Sequence, residues 1–111
     1  MAQYPNRLDT VFATLSDPTR RAVIDRLSTG PASVSELAGP FDMALPSFMK
    51  HVRMLEQSGW ISTRKTGRVR ICALDTTPFS VVDDWLQRHR AMWEQHTDRL
   101  ENFVTEQENQ S

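Results

Sequence analysis

Six cations, Lys50, Arg53, Arg64, Lys65, Arg68 and Arg70, fall between Met43 and Leu74, and one acid, Glu56, opposes them. Such a block suits phosphate, because each phosphate that a lysine or arginine neutralises releases condensed counterions and so adds affinity. Interleaved with these cations are Ser47 and His51, which can bond to base edges, and Met54, which can touch a thymine methyl. The chain as a whole carries a net charge of only −1. Any affinity for nucleic acid is therefore local. From Asp75 onward the balance reverses, with eight acids against Arg88, Arg90 and Arg99. The partner these residue types fit is double-stranded DNA, with Lys50, Ser47 and His51 at or near the bases and Arg53, Arg64, Lys65, Arg68 and Arg70 on phosphates.

Other reactive groups are sparse. Cys72 is the single cysteine, which excludes an internal disulfide and any zinc site built on several thiolates of one chain. On a strand face it is expected to serve as a small packing residue, with a redox switch across a dimer as the sharper alternative. His89 and His96 are the imidazoles of the C-terminal third. They could ligate zinc or form a pH-sensitive pair between two chains, but no compact set of acids accompanies them, and no metal is expected. There is no glycine-rich phosphate loop, serine elbow or metal-ligand pair, so the chain is not expected to be an enzyme and no cofactor is implied. No apolar run approaches the roughly 18 residues of a membrane span, and MAQYPNRLD lacks the basic and apolar regions of a signal peptide. The expectation is a cytoplasmic protein with no membrane partner.

The basic block must be held by particular elements. At 111 residues the chain suits one domain, taken as 1–106, with 107–111 as a frayed polar tail. Leu8, Val11, Phe12 and Leu15 recur at helical spacing and predict a helix over 7–15. Asp17-Pro18 opens a second helix over 17–28, its cap followed by a proline whose missing N–H costs nothing. Ser33-Val-Ser-Glu36 has capping-box spacing and starts a short helix over 33–38. Arg20 and Arg21, near the start of the second helix, are expected to pair with acids such as Asp17 or Asp25.

Leu45, Phe48, Val52 and Leu55 form the apolar stripe of a fourth helix, 45–58, and Gly59 stands where a left-handed cap belongs. Its opposite face centres on Lys50, flanked by Pro46, Ser47, Arg53 and Met54, with His51 nearer the boundary. Two β-rich runs over 60–74, divided at Thr66-Gly67, predict a two-stranded wing with a basic tip. Edge strands often carry cations simply to prevent aggregation, so the wing alone decides little. Together with Lys50 and Arg53 it points to nucleic acid. A last helix over 78–105 follows. Its stripe includes Trp85, His89, Met92, Trp93, His96, Leu100 and Phe103. This fold is mainly α with a two-stranded β wing, in the order α-α-α-α-β-β-α.

Several linked segments now resemble one family. Leu15-Ser-Asp-Pro-Thr-Arg-Arg21, Gly30-Pro-Ala-Ser-Val-Ser-Glu-Leu-Ala38, Leu45-Pro46, Lys50-His-Val-Arg-Met-Leu-Glu56, Ser58-Gly59 and Gly67-Arg68 together look like the ArsR family of winged helix-turn-helix repressors. The resemblance covers roughly residues 8–100. It implies repression of transcription by a homodimer formed mainly through the first and last helices, here through Leu8, Val11, Phe12, Trp85, His89, Met92, Trp93, His96, Leu100 and Phe103. Many members release DNA in response to a metal or another signal, and their metal-sensing branches carry cysteine pairs near the fourth helix or paired acidic and histidine ligands on the last helix; 43–54 contains no cysteine. No metal or small-molecule effector is evident. Similar members commonly have serine where this chain has Ala44 and Met49, so one helix cap and one hydroxyl near DNA are missing.

Overall fold

The computed structural model describes the backbone of residues 4–110 and the side chains of residues 7–108. Its elements run α1 (Tyr4–Leu15), α2 (Pro18–Leu27), β1 (Ala32–Ser33), α3 (Val34–Ala38), α4 (Leu45–Gln57), β2 (Ile61–Thr66), β3 (Val69–Leu74) and α5 (Thr77–Gln110). The chain is mainly helical, with one small antiparallel sheet. No helix among the described residues is long and apolar enough to cross a membrane.

Local chemistry sets the helix starts. The Asp17 carboxylate accepts from Arg20 N–H at 3.0 Å, and Pro18 occupies the first turn of α2. At α3, Ser33 Oγ accepts from Glu36 N–H while Glu36 reaches back to the Ser33 N–H, so two orphan donors are satisfied reciprocally. Ala44 offers α4 no side-chain cap, and that helix relies on a proline in its first turn and on its buried face. Its end is better secured. Gly59 takes φ +83°, and Trp60 N–H bonds to Leu55 C=O while Gly59 N–H bonds to Glu56 C=O. This is the Schellman arrangement, and its flanking apolar pair, Trp60 and Leu55, is wholly buried.

The sheet differs from the expected two-stranded wing. It has three strands in the order β1-β3-β2, because Ala32 pairs with Cys72 and Ser33 with Ile71. The short strand before α3 thereby anchors the wing to the helix-turn-helix. Thr66 pairs with Val69, so the turn residues are Gly67 and Arg68, and Arg68 sits at the tip rather than within a strand. Gly67 has φ +62°, the positive first position that a tight hairpin favours.

Phe48, Val52 and Leu55 of α4 meet Val23, Ile24 and Leu27 of α2 in one core with Trp60, Ile61 and Cys72. Val11 of α1 belongs to the same core. It is 1% exposed within its own chain, which removes it from the residues expected to meet a partner. Phe12, on the neighbouring face, packs edge-to-face on Trp85 with ring centroids 5.7 Å apart, and so joins α1 to the first half of α5. The last helix, expected to end at 105, continues to Gln110, and Ser111 of the expected frayed tail lies outside the described residues. At 34 residues it is about 51 Å long. It gives the molecule a longest extent of 76 Å.

Candidate nucleic-acid interface

The amphipathic α4 buries Phe48, Val52 and Leu55 and leaves Ser47, Lys50, Arg53, Met54 and Gln57 exposed. These positions follow helical spacing along one face, as they must when the opposite stripe is fixed in the core. With Arg20 and His51 they line a concavity of about 480 Å³ along the helix. Gln57 is absent from the sequence reading. Its spacing of seven from Lys50 and four from Arg53 was signal enough.

The wing supplies the second group of cations. Arg64, Lys65, Arg68 and Arg70 are all exposed. Arg68 and Arg70 line a smaller concavity of about 220 Å³ with Ser33, Ser35 and Met49, so the tip end of β3 borders the start of α3 and the first half of α4. Arg64 and Lys65, on β2 opposite Ile71 and Arg70, line neither concavity. Lys65 stands directly opposite Arg70 in the ladder. Like charges facing each other across a strand pair are destabilising, and a polyanion lying on the wing relieves that repulsion. Arg70 leans toward Thr63, whose hydroxyl in turn donates to Glu56 at the end of α4. Arg26 pairs with Glu36, and His51 Nδ1 stands 3.6 Å from Asp17 Oδ2; neither contact engages Lys50, Arg53 or a cation of the wing.

His51 does not share the open face of its neighbours. Its side chain is 22% exposed, with Nδ1 3.3 Å from Arg20 Nη1 and 3.6 Å from Asp17 Oδ2. Arg20 is not paired with an acid through its guanidinium, as expected from sequence. It donates instead to Thr14 C=O at 2.9 Å and Ala13 C=O at 3.1 Å, and Arg21 donates to Leu15 C=O at 2.7 Å. Two arginines of α2 thus bond to carbonyls at the C-terminal end of α1. Burial pushes the Asp17 carboxyl upward, but the Arg20 N–H, the Arg20 charge and the Thr19 N–H hold the group below its ordinary value.

Cys72 is fully buried on the inner face of β3, and burial pushes its thiol up, away from the reactive thiolate. His89 stacks on Trp85 with ring centroids 4.2 Å apart, and His96 lies 5.8 Å from the Trp93 ring. No group of three or more His, Cys, Asp or Glu side chains that could hold a metal ion occurs among the described residues. Beyond His89 the apolar side chains of α5, Met92, Trp93, Leu100, Phe103 and Val104, remain exposed.

Comparison with known proteins places this geometry. A helix-turn-helix domain family matches residues 15–62, the stretch from the end of α1 to the start of β2. The transcriptional repressor SdpR of Bacillus subtilis is 32% identical over 79 residues, which are 71% of this chain and 88% of that relative. A crystal structure of an ArsR family transcriptional regulator is similar with TM-score 0.80 and 63% identity, over 85% of this chain and 97% of the other. An ArsR-like transcriptional regulator from Rhodococcus is similar with TM-score 0.76 and 26% identity, over 88% of this chain and 92% of its own.

Proposed function

Because the chain belongs to the ArsR family of winged helix-turn-helix transcriptional regulators, we propose that it represses transcription as a homodimer bound to an operator of two half-sites. The observation that carries this reading is that Lys50 and Arg53 on α4 and Arg68 and Arg70 on the wing are all exposed cations, and the described ion pairs leave them free of acids. A helix offering Ser47, Lys50, Arg53 and Met54 fits the major groove, which is wide enough to admit it. The wing, reaching past the helix, meets the adjacent backbone or minor groove. Phosphate contacts by Arg53, Arg64, Lys65, Arg68 and Arg70 supply most of the affinity, and Ser47 and Lys50 supply base discrimination.

Dimerisation follows from what α5 leaves uncovered. Trp93 is 67% exposed, and Leu100 and Phe103 are 56% and 57% exposed, on the stripe that continues Leu86 and His89. Contiguous apolar surface of this kind marks a partner interface. A second copy placed there sets the two α4 helices in successive major grooves, about one helical turn apart. DNA binding, dimer and repression are functions of surface and shape, so the protein works in the compartment that holds the DNA and needs no cofactor.

The experiment is a gel shift on DNA selected from a random pool by the wild-type protein, repeated with the Lys50→Ala, Arg68→Ala double variant. Loss of binding with an unchanged sedimentation coefficient is expected. Unchanged affinity sinks the assignment, and a flat dependence of affinity on salt favours a winged helix that binds protein instead.

A further inference from the structure

His51 lies between two residues of the DNA-facing side of α4 and yet turns its imidazole toward the corner where α1 meets α2. There it meets a guanidinium already committed on two sides, to Ala13 C=O and Thr14 C=O at the end of α1. A guanidinium only donates, so the close Nδ1 atom accepts and the imidazole carries its proton on Nε2. We propose that His51 is a positioning residue, which latches α4 through Arg20 to the end of α1 and so fixes the angle at which the DNA-facing side is presented. It reads no base.

Three elements meet at this one side chain. Arg20 belongs to α2, its carbonyl acceptors to α1, and its imidazole acceptor to α4. Asp17 closes the cluster from the residue before α2, accepting the Arg20 backbone N–H and standing 3.6 Å from the same Nδ1. The apolar contacts of α4 hold it against the core but are non-directional. Hydrogen bonds from a planar, fixed fork define an orientation. A site that contacts DNA tolerates only a small angular error in the element that carries it. α1 also packs on α5 through Phe12 and Trp85, so the latch ties the angle of α4 to the helix proposed to join the two copies. The inference rests on reading α4 as the DNA-contacting helix.

Binding to operator DNA selected by the wild-type protein tests it with three variants. His51→Leu removes the acceptor and is expected to weaken binding about tenfold, the effect of losing one hydrogen bond to a charged group. His51→Asn places an amide oxygen near the Nδ1 position and is expected to stay within about threefold of wild type. The ranking of operators with single base changes is the same for the wild type and both His51 variants, because no base contact is altered. Lys50→Ala is the control. If both Lys50→Ala and His51→Leu leave binding unchanged, the reading of α4 fails. If only His51→Leu does, or if His51→Asn loses as much as His51→Leu, the latch fails. A shifted preference at one operator position in His51→Asn makes His51 a base contact and also overturns the proposal.

Discussion

The indole Nε1 of Trp60 donates a hydrogen bond to the backbone carbonyl of Val11, 3.3 Å away, with both residues buried. Residues far apart in the chain are joined here, where the wing begins beneath the first helix. The Trp60 ring also meets Phe79 edge-on at 4.9 Å, so the base of the wing, α1 and the start of α5 share one side chain. Trp60→Ala should destabilise the fold by about 3–5 kcal/mol. Trp60→Phe keeps much of the volume and loses the bond, and should cost about 1–2 kcal/mol. Denaturant titration of both variants checks this. A cost near zero for Trp60→Phe would show the hydrogen bond to be idle.

The elements that hold the DNA-facing surface were legible because their signals are local. α4 follows from the period of Leu45, Phe48, Val52 and Leu55, and its end from Gly59, whose positive φ the backbone requires. Ser33 and Glu36 announced α3 by a spacing with a direct hydrogen-bonding meaning. β1 was not legible. Two residues have no period, and Ala32 and Ser33 become a strand only because β3 lies beside them. Val11 and Phe12 share one apolar stripe, but which faces the core and which faces outward depends on where Trp60 and Trp85 sit. The same holds for His51. Its position near the boundary of the α4 stripe was readable, whereas its bond to Arg20 exists only after α2 has packed on α4.

Asp17 gives stability a pH dependence. Its folded value lies below the ordinary aspartate value of about 3.9, chiefly because the Arg20 N–H and the Arg20 charge hold it down against burial. A group depressed on folding contributes stability that is fully present above its unfolded value and is lost as pH falls through the folded one. Asp17→Ala should therefore cost about 1 kcal/mol near neutrality, mostly the lost helix cap. The gap from wild type should narrow below about pH 4. Asp17→Asn, which keeps a cap but no charge, should fall between them. Thermal melts across pH decide it, and a gap that widens in acid would contradict the sign.

Cys72 should behave as part of the core. With the side chain fully buried on β3 and its thiol pushed up by burial, alkylation of the native protein at mildly alkaline pH should be slow. The rate should track unfolding, and rise with denaturant in step with the loss of helix. Rapid labelling of the folded protein would instead expose a thiol available to oxidants and revive a redox response.

Gly59 should resist replacement. Its φ of +83° is a conformation that side chains with a Cβ adopt only under strain, although a Cβ there meets nothing closer than Pro78 at 3.9 Å. Gly59→Ala should thus cost about 1 kcal/mol through the backbone alone, without a steric clash. A loss several times larger in denaturant titration would mean that the turn into Trp60 had been rebuilt.

The far half of α5 allows the dimer to be separated from the fold. After His89 this helix keeps large apolar side chains exposed and packs none of them into the core formed by α2, α4 and the sheet. Leu100→Glu together with Phe103→Glu should therefore leave the thermal transition of the domain nearly unchanged while halving the sedimenting mass. Operator affinity should fall by about a hundredfold or more, because two half-site contacts that were joined into one event become independent. Binding to a single half-site at low salt should persist, since Lys50, Arg53 and the wing are untouched. A double variant that still sediments as the wild type does would place the partner surface elsewhere, and one that loses half-site binding as well would show that the tip of α5 supports the fold.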